Sequence, residues 1–239
     1  MFAEEEAALL LAAAATPADL ERLVDARTEG VPLELLLGYA EFCGLRVAVA
    51  PGVFVPRRRT ALLVDLAAGL LRPGAVVLDL CCGTGAIGAA LAARVPGLEL
   101  WACDVDPDAV ACARRNLDPA RVLEGDLYDA LPTELRGRVD VVAANAPYVP
   151  TAAIAGMPPE AREHEHRVAL DGGADGLALH ARVAAGAPDW LAPDGALLVE
   201  TSDRQAGGTL ALLRRAGLRA EIVTDEEVGG TVAVGRRRG

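Results

Sequence analysis

"DLCCGTGAIG", residues 79–88, decides how this chain folds. It follows the apolar run "AVVLDL" (75–80) and opens into an alanine-rich helical period over 86–94. Gly83-x-Gly85-x-x-Gly88, with a strand behind and a helix ahead, lets the backbone turn tightly and approach a ligand closely. Asp104 closes the next strand, "LELWACDV" (98–105), where a carboxylate reaches both hydroxyls of a ribose. Asp126 closes "RVLEGD" (121–126), with Leu127 after it. That pair suits an adenine: the carboxylate takes the amino group and the leucine covers a face.

Working outward, the punctuation stays regular. A helix runs from Pro107 to about Asn116, then come strand "VDVVAAN" (139–145), a long loop (146–175) and helix 177–190. Strand "ALLVET" (196–201), helix 204–215 and strands 219–224 and 230–235 complete the series. Strands alternating with helices of this length give a parallel sheet with helices on both faces. The last two strands are joined by "DEEVGG", too short for a crossover helix, so they pair antiparallel. The fold class is α/β: a Rossmann-like, seven-stranded, mostly parallel sheet with an antiparallel last strand.

Upstream, residues 3–29 are helical, with a fresh start where Thr16 caps and Pro17 takes the first helical position. Residues 30–44 form a linker with a short helix, and residues 45–56 alternate around Pro51-Gly52 as a β-hairpin. A helical period resumes over 59–71. The expected division is a helical segment (1–41), a hairpin linker (42–58) and a ligand-binding domain (59–239).

Composition narrows the function classes. The chain has 239 residues and a net charge of −11, and all 23 of its basic residues are arginine. An acidic chain is a poor candidate for a broad grip on a phosphate backbone, so nucleic acid is a lesser expectation. Five cysteines, none in a C-x-x-C pair, are expected as buried reduced thiols. The N-terminal apolar run follows acidic residues, unlike a signal peptide, and no stretch reaches membrane-spanning length. A soluble cytoplasmic protein with no membrane partner is expected. His164-Glu165-His166 lacks a third ligand pattern, so a solvated loop is expected there and no metal.

The glycine pattern alone fits NAD as well as S-adenosylmethionine. Acids at successive strand ends and the terminal antiparallel pair favour the methyl donor. The fourth strand of the series then ends in "NAPY" (145–148), similar to the N-P-P-Y element of methyltransferases that modify a planar amide or amino nitrogen. Such a nitrogen is a weak nucleophile because its lone pair is delocalised. The Asn145 side-chain oxygen and the Ala146 carbonyl accept its two N–H hydrogens, which favours the state with the lone pair free. Pro147 stiffens the turn, and Tyr148 offers an aromatic face near the sulfonium.

Further motifs resemble the protein-(glutamine-N5) methyltransferases that act on peptide-chain release factors. "GVPLELLLGYAEFCG" and "PGVFVPRRRT" (within 30–60) are similar to that family's G-x-P-L-x-Y-I-L-G, E-F-x-G and P-G-V-L-I-P-R-P-E-T. "EHEHRVALDGGADGL" (163–177) is similar to E-P-x-x-A-L-x-G-G-x-D-G-L, and "LLVETSDRQ" (197–205) to L-L-x-E-I-G-x-x-Q. The resemblance covers roughly residues 30–237. It implies a class I methyltransferase using S-adenosyl-L-methionine, releasing S-adenosyl-L-homocysteine, with a glutamine side-chain amide in a Gly-Gly-Gln loop as acceptor. Asn145, Ala146, Pro147 and Tyr148 are the catalytic set it implies. Asp79, Cys81, Gly83, Thr84, Gly85, Asp104, Val105, Asp126 and Leu127 hold the donor, with Asn145 at the seam.

Three departures bear on the acceptor. Ala146 replaces a proline, Arg58 and Arg59 stand where a proline and an acid are expected, and the stretch ahead of Gly30 fits a helical hairpin where the family carries a fuller bundle. The alternatives are another glutamine-bearing protein or peptide, a small molecule, a nucleic-acid adenine amino group, and a non-catalytic binding module.

Overall fold

The computed structural model describes residues 3–238. Two helices lead, α1 (Ala3–Ala13) and α2 (Pro17–Thr28). Thr16 Oγ1 accepts from Asp19 N at 3.1 Å ahead of Pro17, so α2 restarts where its cap chemistry dictates. The short α3 (Leu33–Leu37) follows.

The hairpin forms earlier than the sequence suggested. β1 (Tyr39–Phe42) pairs antiparallel with β2 (Leu45–Ala48) about Cys43-Gly44, not about Pro51-Gly52. Apolar alternation runs through both stretches; what decides is two successive residues with positive φ, 50° at Cys43 and 79° at Gly44. Gly52 instead meets the long loop, donating to the His164 carbonyl and accepting from His166 N.

From α4 (Ala61–Ala68) the chain alternates: β3 (Val76–Leu80), α5 (Ala86–Arg94), β4 (Glu99–Asp104), α6 (Pro107–Ala113), β5 (Val122–Glu124) and β6 (Val139–Ala144). The loop after β6 carries a short helix, α7 (Pro159–His164). Then come α8 (Ala178–Trp190), β7 (Leu191–Glu200), α9 (Ala206–Arg215), β8 (Arg219–Asp225) and β9 (Gly230–Arg236). β3 to β9 form one sheet in the order β5-β4-β3-β6-β7-β9-β8. β9 inserts between β7 and β8, antiparallel to both. β7 begins five residues before the expected Ala196, with a shift in its register against β6.

Alternate residues of the central strands feed two apolar layers. Val77, Val141 and Leu198 pack with Leu63, Ile87 and Leu91 of α4 and α5, joined by Phe42 and Val47 of the hairpin. Leu78, Val142 and Leu197 pack with Val183, Trp190 and Leu213 of α8 and α9. β4 and β5 step outward from one side of β3, while β6 and β7 step outward from the other. A crevice opens at such a reversal, at the carboxyl ends of the strands. Leu80 is in register with Ala144, so the glycine turn and Asn145 start side by side at that rim.

Candidate active site

At this rim lies a cavity of about 520 Å³. Its wall includes Cys81, Gly83, Thr84, Asp104, Val105, Asp126, Leu127 and all of Asn145 to Tyr148. Asp79 and Gly85 do not line it. Asp79 is fully buried, and its Oδ2 accepts from Gly88 N at 2.8 Å, bracing the first turn of α5 against β3. Its Oδ1 has no partner, and burial pushes the carboxyl up to about 8, with the nearby Asp104 charge adding to the rise. Gly85 sits at φ 75°, and a Cβ there would lie 2.8 Å from Leu117 Cδ1.

The donor end is tied together by backbone. Asp104 accepts from Gly83 N at 2.8 Å and from Asp106 N at 3.0 Å, so each carboxylate oxygen has one lone pair already engaged. Burial raises its carboxyl pKa against the pull of those N–H groups. Val105 stands half-exposed beside it, an apolar surface without cover. Two of the four non-glycine residues with positive φ among the described residues, Cys81 (58°) and Leu127 (52°), lie on this wall. Strained backbone of that kind persists where the surrounding structure holds it. Asp126 is exposed and accepts from Arg182 of α8 at 2.8 Å through Oδ2, a partner that sequence reading missed.

The other end carries "NAPY". No protein hydrogen bond engages the Asn145 carboxamide among the described residues, and Asn145 is half-buried on the wall. Ala146 is fully buried. Tyr148 Oη donates to Glu200 Oε1 at 3.2 Å, and the same oxygen accepts from Arg59 Nε at 3.2 Å. Burial and the Glu200 charge push the phenol up to about 12, so Tyr148 keeps its proton at neutral pH. Its carbonyl accepts from Gln205 Nε2 at 2.8 Å. Beneath the loop, the fully buried His180 pairs Nδ1 with Thr209 Oγ1 at 2.9 Å and packs 6.0 Å from the Tyr148 ring. Burial holds it down to about 4, opposed by the Ala146 carbonyl it faces.

The 164–166 stretch is not a solvated loop throughout. Glu165 turns inward, accepting from Val55 N and pairing with Arg57. His166 Nδ1 lies 2.7 Å from Asp106 Oδ2, clasping the long loop to the start of α6. The five cysteines are free thiols; Cys82, Cys103 and Cys112 are buried, with pKa values raised by that burial.

Residues 44–157 match the family described as the methyltransferase small domain. The release factor glutamine methyltransferase of Geobacter sulfurreducens is 40% identical over 199 residues, covering 82% of this chain and 69% of the relative. The chain belongs to the release factor glutamine methyltransferase family. Within the same range, the 4-amino-L-phenylalanine/4-methylamino-L-phenylalanine methyltransferase of Streptomyces pristinaespiralis is 37% identical over 78% of this chain and 66% of its own length. A methyltransferase crystal structure from Pyrococcus furiosus aligns with a TM-score of 0.60 and 16% identity, over 94% of this chain and all of that one, a likeness of fold. The protein is thus a methyltransferase with a Rossmann-like sheet. Among the described residues no helix is long and apolar enough to cross a membrane.

Proposed function

We propose that this methyltransferase uses S-adenosylmethionine to methylate the side-chain amide nitrogen of a protein glutamine, with a Gly-Gly-Gln-bearing release factor as acceptor. The observation that carries the reading is the unpartnered Asn145 carboxamide at the tip of β6, in one cavity with the glycine turn, Asp104 and Leu127. The cavity fits the donor by its chemistry: a tight backbone turn, a carboxylate for the ribose, apolar Val105 and Leu127 for the adenine, and Asp126 at its edge. Bound there, the donor supplies an electrophilic methyl group on a sulfonium. Residues 59–239 hold most of this machinery, behind the segments 1–41 and 42–58, and the free cysteines fit a reducing cytoplasm.

The residues of the chain then supply positioning. Asn145 Oδ1 and the Ala146 carbonyl accept the two amide hydrogens of the glutamine and hold its plane. That arrangement favours the form in which the nitrogen lone pair is free to attack. Tyr148, protonated, presents a ring face and not a phenolate. The methylated nitrogen is a strong acid and releases its proton without a dedicated base.

Incubation with labelled donor and a purified release factor tests this. Methyl transfer to the Gly-Gly-Gln glutamine is expected, and Asn145→Ala is expected to lower kcat by about 10²–10³-fold. Transfer that persists in Asn145→Ala removes the role given to that residue. A small-molecule acceptor has one observation in its favour, the 37% identity to the aminophenylalanine enzyme. Intact-mass screening with arylamines beside glutamine peptides separates the two.

A further inference from the structure

Asp104 and Asp106 line the donor end of the cavity, where Asp126 is paired with Arg182, while Arg57 and Arg59 line the wall beside Tyr148; Glu160, paired with Arg27, also reaches the wall. The acids complement the positive charge carried by the donor. The donor's own α-carboxylate can answer one of the two guanidiniums, and the other calls for a counter-charge from elsewhere.

Each arginine already has one carboxylate behind it. Arg59 donates through Nε to Glu200 at 3.2 Å, and Arg57 donates through Nη2 to Glu165. The two carboxylate side chains are only 1% and 2% exposed, and neither lines the cavity. Both ion pairs therefore turn their positive ends inward to the cavity. Arg59 is 42% exposed, and its Nη groups make no hydrogen bond to a carboxylate among the described residues. Arg57 lies 4.8 Å over the Phe54 ring and Arg59 6.0 Å over the Tyr148 ring, so aromatic faces brace both forks. Position 59 also carries the opposite charge from the P-R-P-E-T pattern that the segment resembles.

We infer that Arg57 and Arg59 form a carboxylate subsite, so that the preferred acceptor carries a carboxylate close to the nitrogen that is methylated. The inference rests on the glutamine reading above. A guanidinium fork matches a carboxylate in both geometry and charge, and partial burial limits competition from water. Two sources supply that chemistry: an acidic side chain beside the glutamine in a protein loop, and the α-carboxylate of a free amino acid.

The test compares kcat/KM for Gly-Gly-Gln peptides carrying Asp, Asn or Arg next to the motif, together with free L-glutamine and its methyl ester. A preference of about tenfold for Asp over Arg, carried mainly by KM and reduced by added salt, is expected for the peptide source. The same preference for L-glutamine over its ester identifies the free amino acid instead. Arg59→Gln is expected to bring the favoured ratio close to one. Binding of S-adenosylhomocysteine checks that this variant is folded, and the salt series on the unaltered protein carries the test if it is not. Equal kcat/KM across every neighbour and between acid and ester overturns the subsite and leaves glutamine methylation standing. No transfer to any glutamine overturns that reading, and the subsite with it.

Discussion

At the donor end of the cavity, the hydrogen bonds that shape the glycine turn join residues close in the chain, although Asp126 and Asp106 also take partners 56 and 60 positions away, Arg182 and His166. Asp79 and Gly88 are 9 positions apart, Asp104 and Gly83 are 21, and Asp106 and Asp104 are 2. At the acceptor end the same kind of bond spans 52 positions from Tyr148 to Glu200, 57 from Gln205 to Tyr148, 108 from Arg57 to Glu165 and 141 from Arg59 to Glu200. One end is shaped by a local turn and backbone donors. The other is assembled by side chains that only the finished sheet brings together. Substitutions at the two ends should therefore fail in different ways.

The largest contrast is expected at the seam. Asn145→Ala removes the acceptor of an amide hydrogen but no bond within the protein, so transfer falls by about 10²–10³-fold while folding is spared. Asp104→Ala frees Gly83 N and Asp106 N together, and S-adenosylhomocysteine binding should weaken with it. Calorimetric titration of both variants, beside methyl-transfer rates, checks the split. If Asn145→Ala lost donor binding as severely as Asp104→Ala, the two ends would be one unit and the comparison would fail.

The same contrast explains what could be read from the sequence. Gly83, Gly85, Asp104, Asp126 and Asn145 sit at strand ends, and strands announce themselves by apolar runs and glycine turns. Their grouping followed from the periodicity. Arg182 and His180 give no local signal, because a polar residue in a helix reads as a solvated face until the partner is known; Gln205 closes a matched motif, but its partners are not legible from it. Glu165 reads as part of a solvated loop for the same reason: nothing near it in sequence shows that Arg57 and Val55 N wait behind the loop. The hairpin lies ahead of Pro51-Gly52 although alternation continues past it, because backbone conformation at Cys43-Gly44 fixes the turn.

The next effect is a dependence on pH. His180 is held down to about 4 in the fold, against an ordinary 6.5. Between those values the unfolded chain takes up a proton that the folded chain refuses, so stability from this residue is complete above about pH 6.5 and declines as pH falls toward 4. From pH 7 to 4.5 that loss is about 2–3 kcal/mol. Asp79, pushed up to about 8, acts in the opposite sense: its burial costs stability as pH rises from about 4 to 8. Only the difference between the unaltered protein and a variant isolates the histidine. Urea unfolding of His180→Asn at both pH values should show a smaller acid loss than the unaltered protein; equal losses would mean the ring is protonated in place.

The smallest effect expected is at Gln205, and it bears most directly on how the acceptor end is held. Its Nε2 donates to the Tyr148 carbonyl at 2.8 Å and to the Asp175 carbonyl at 3.0 Å, while Oε1 accepts from Ser202 Oγ at 2.6 Å. The amide thus ties the exit of "NAPY" to the segment that leads into α8. Gly176 leaves room for it, since a Cβ there would fall 2.1 Å from that nitrogen and 2.2 Å from the Tyr148 oxygen. Gln205→Ala should lower stability by about 1–2 kcal/mol, because the part-buried Tyr148 carbonyl loses its donor, with the exposed Asp175 carbonyl adding little. Gln205→Glu should cost more, since a carboxylate would face both oxygens. Neither change touches the glycine turn, so S-adenosylhomocysteine affinity should hold while KM for the acceptor rises. Donor affinity falling in step with acceptor KM would show that strain at Tyr148 reaches the donor end, and that the local turn depends on the long-range contacts after all.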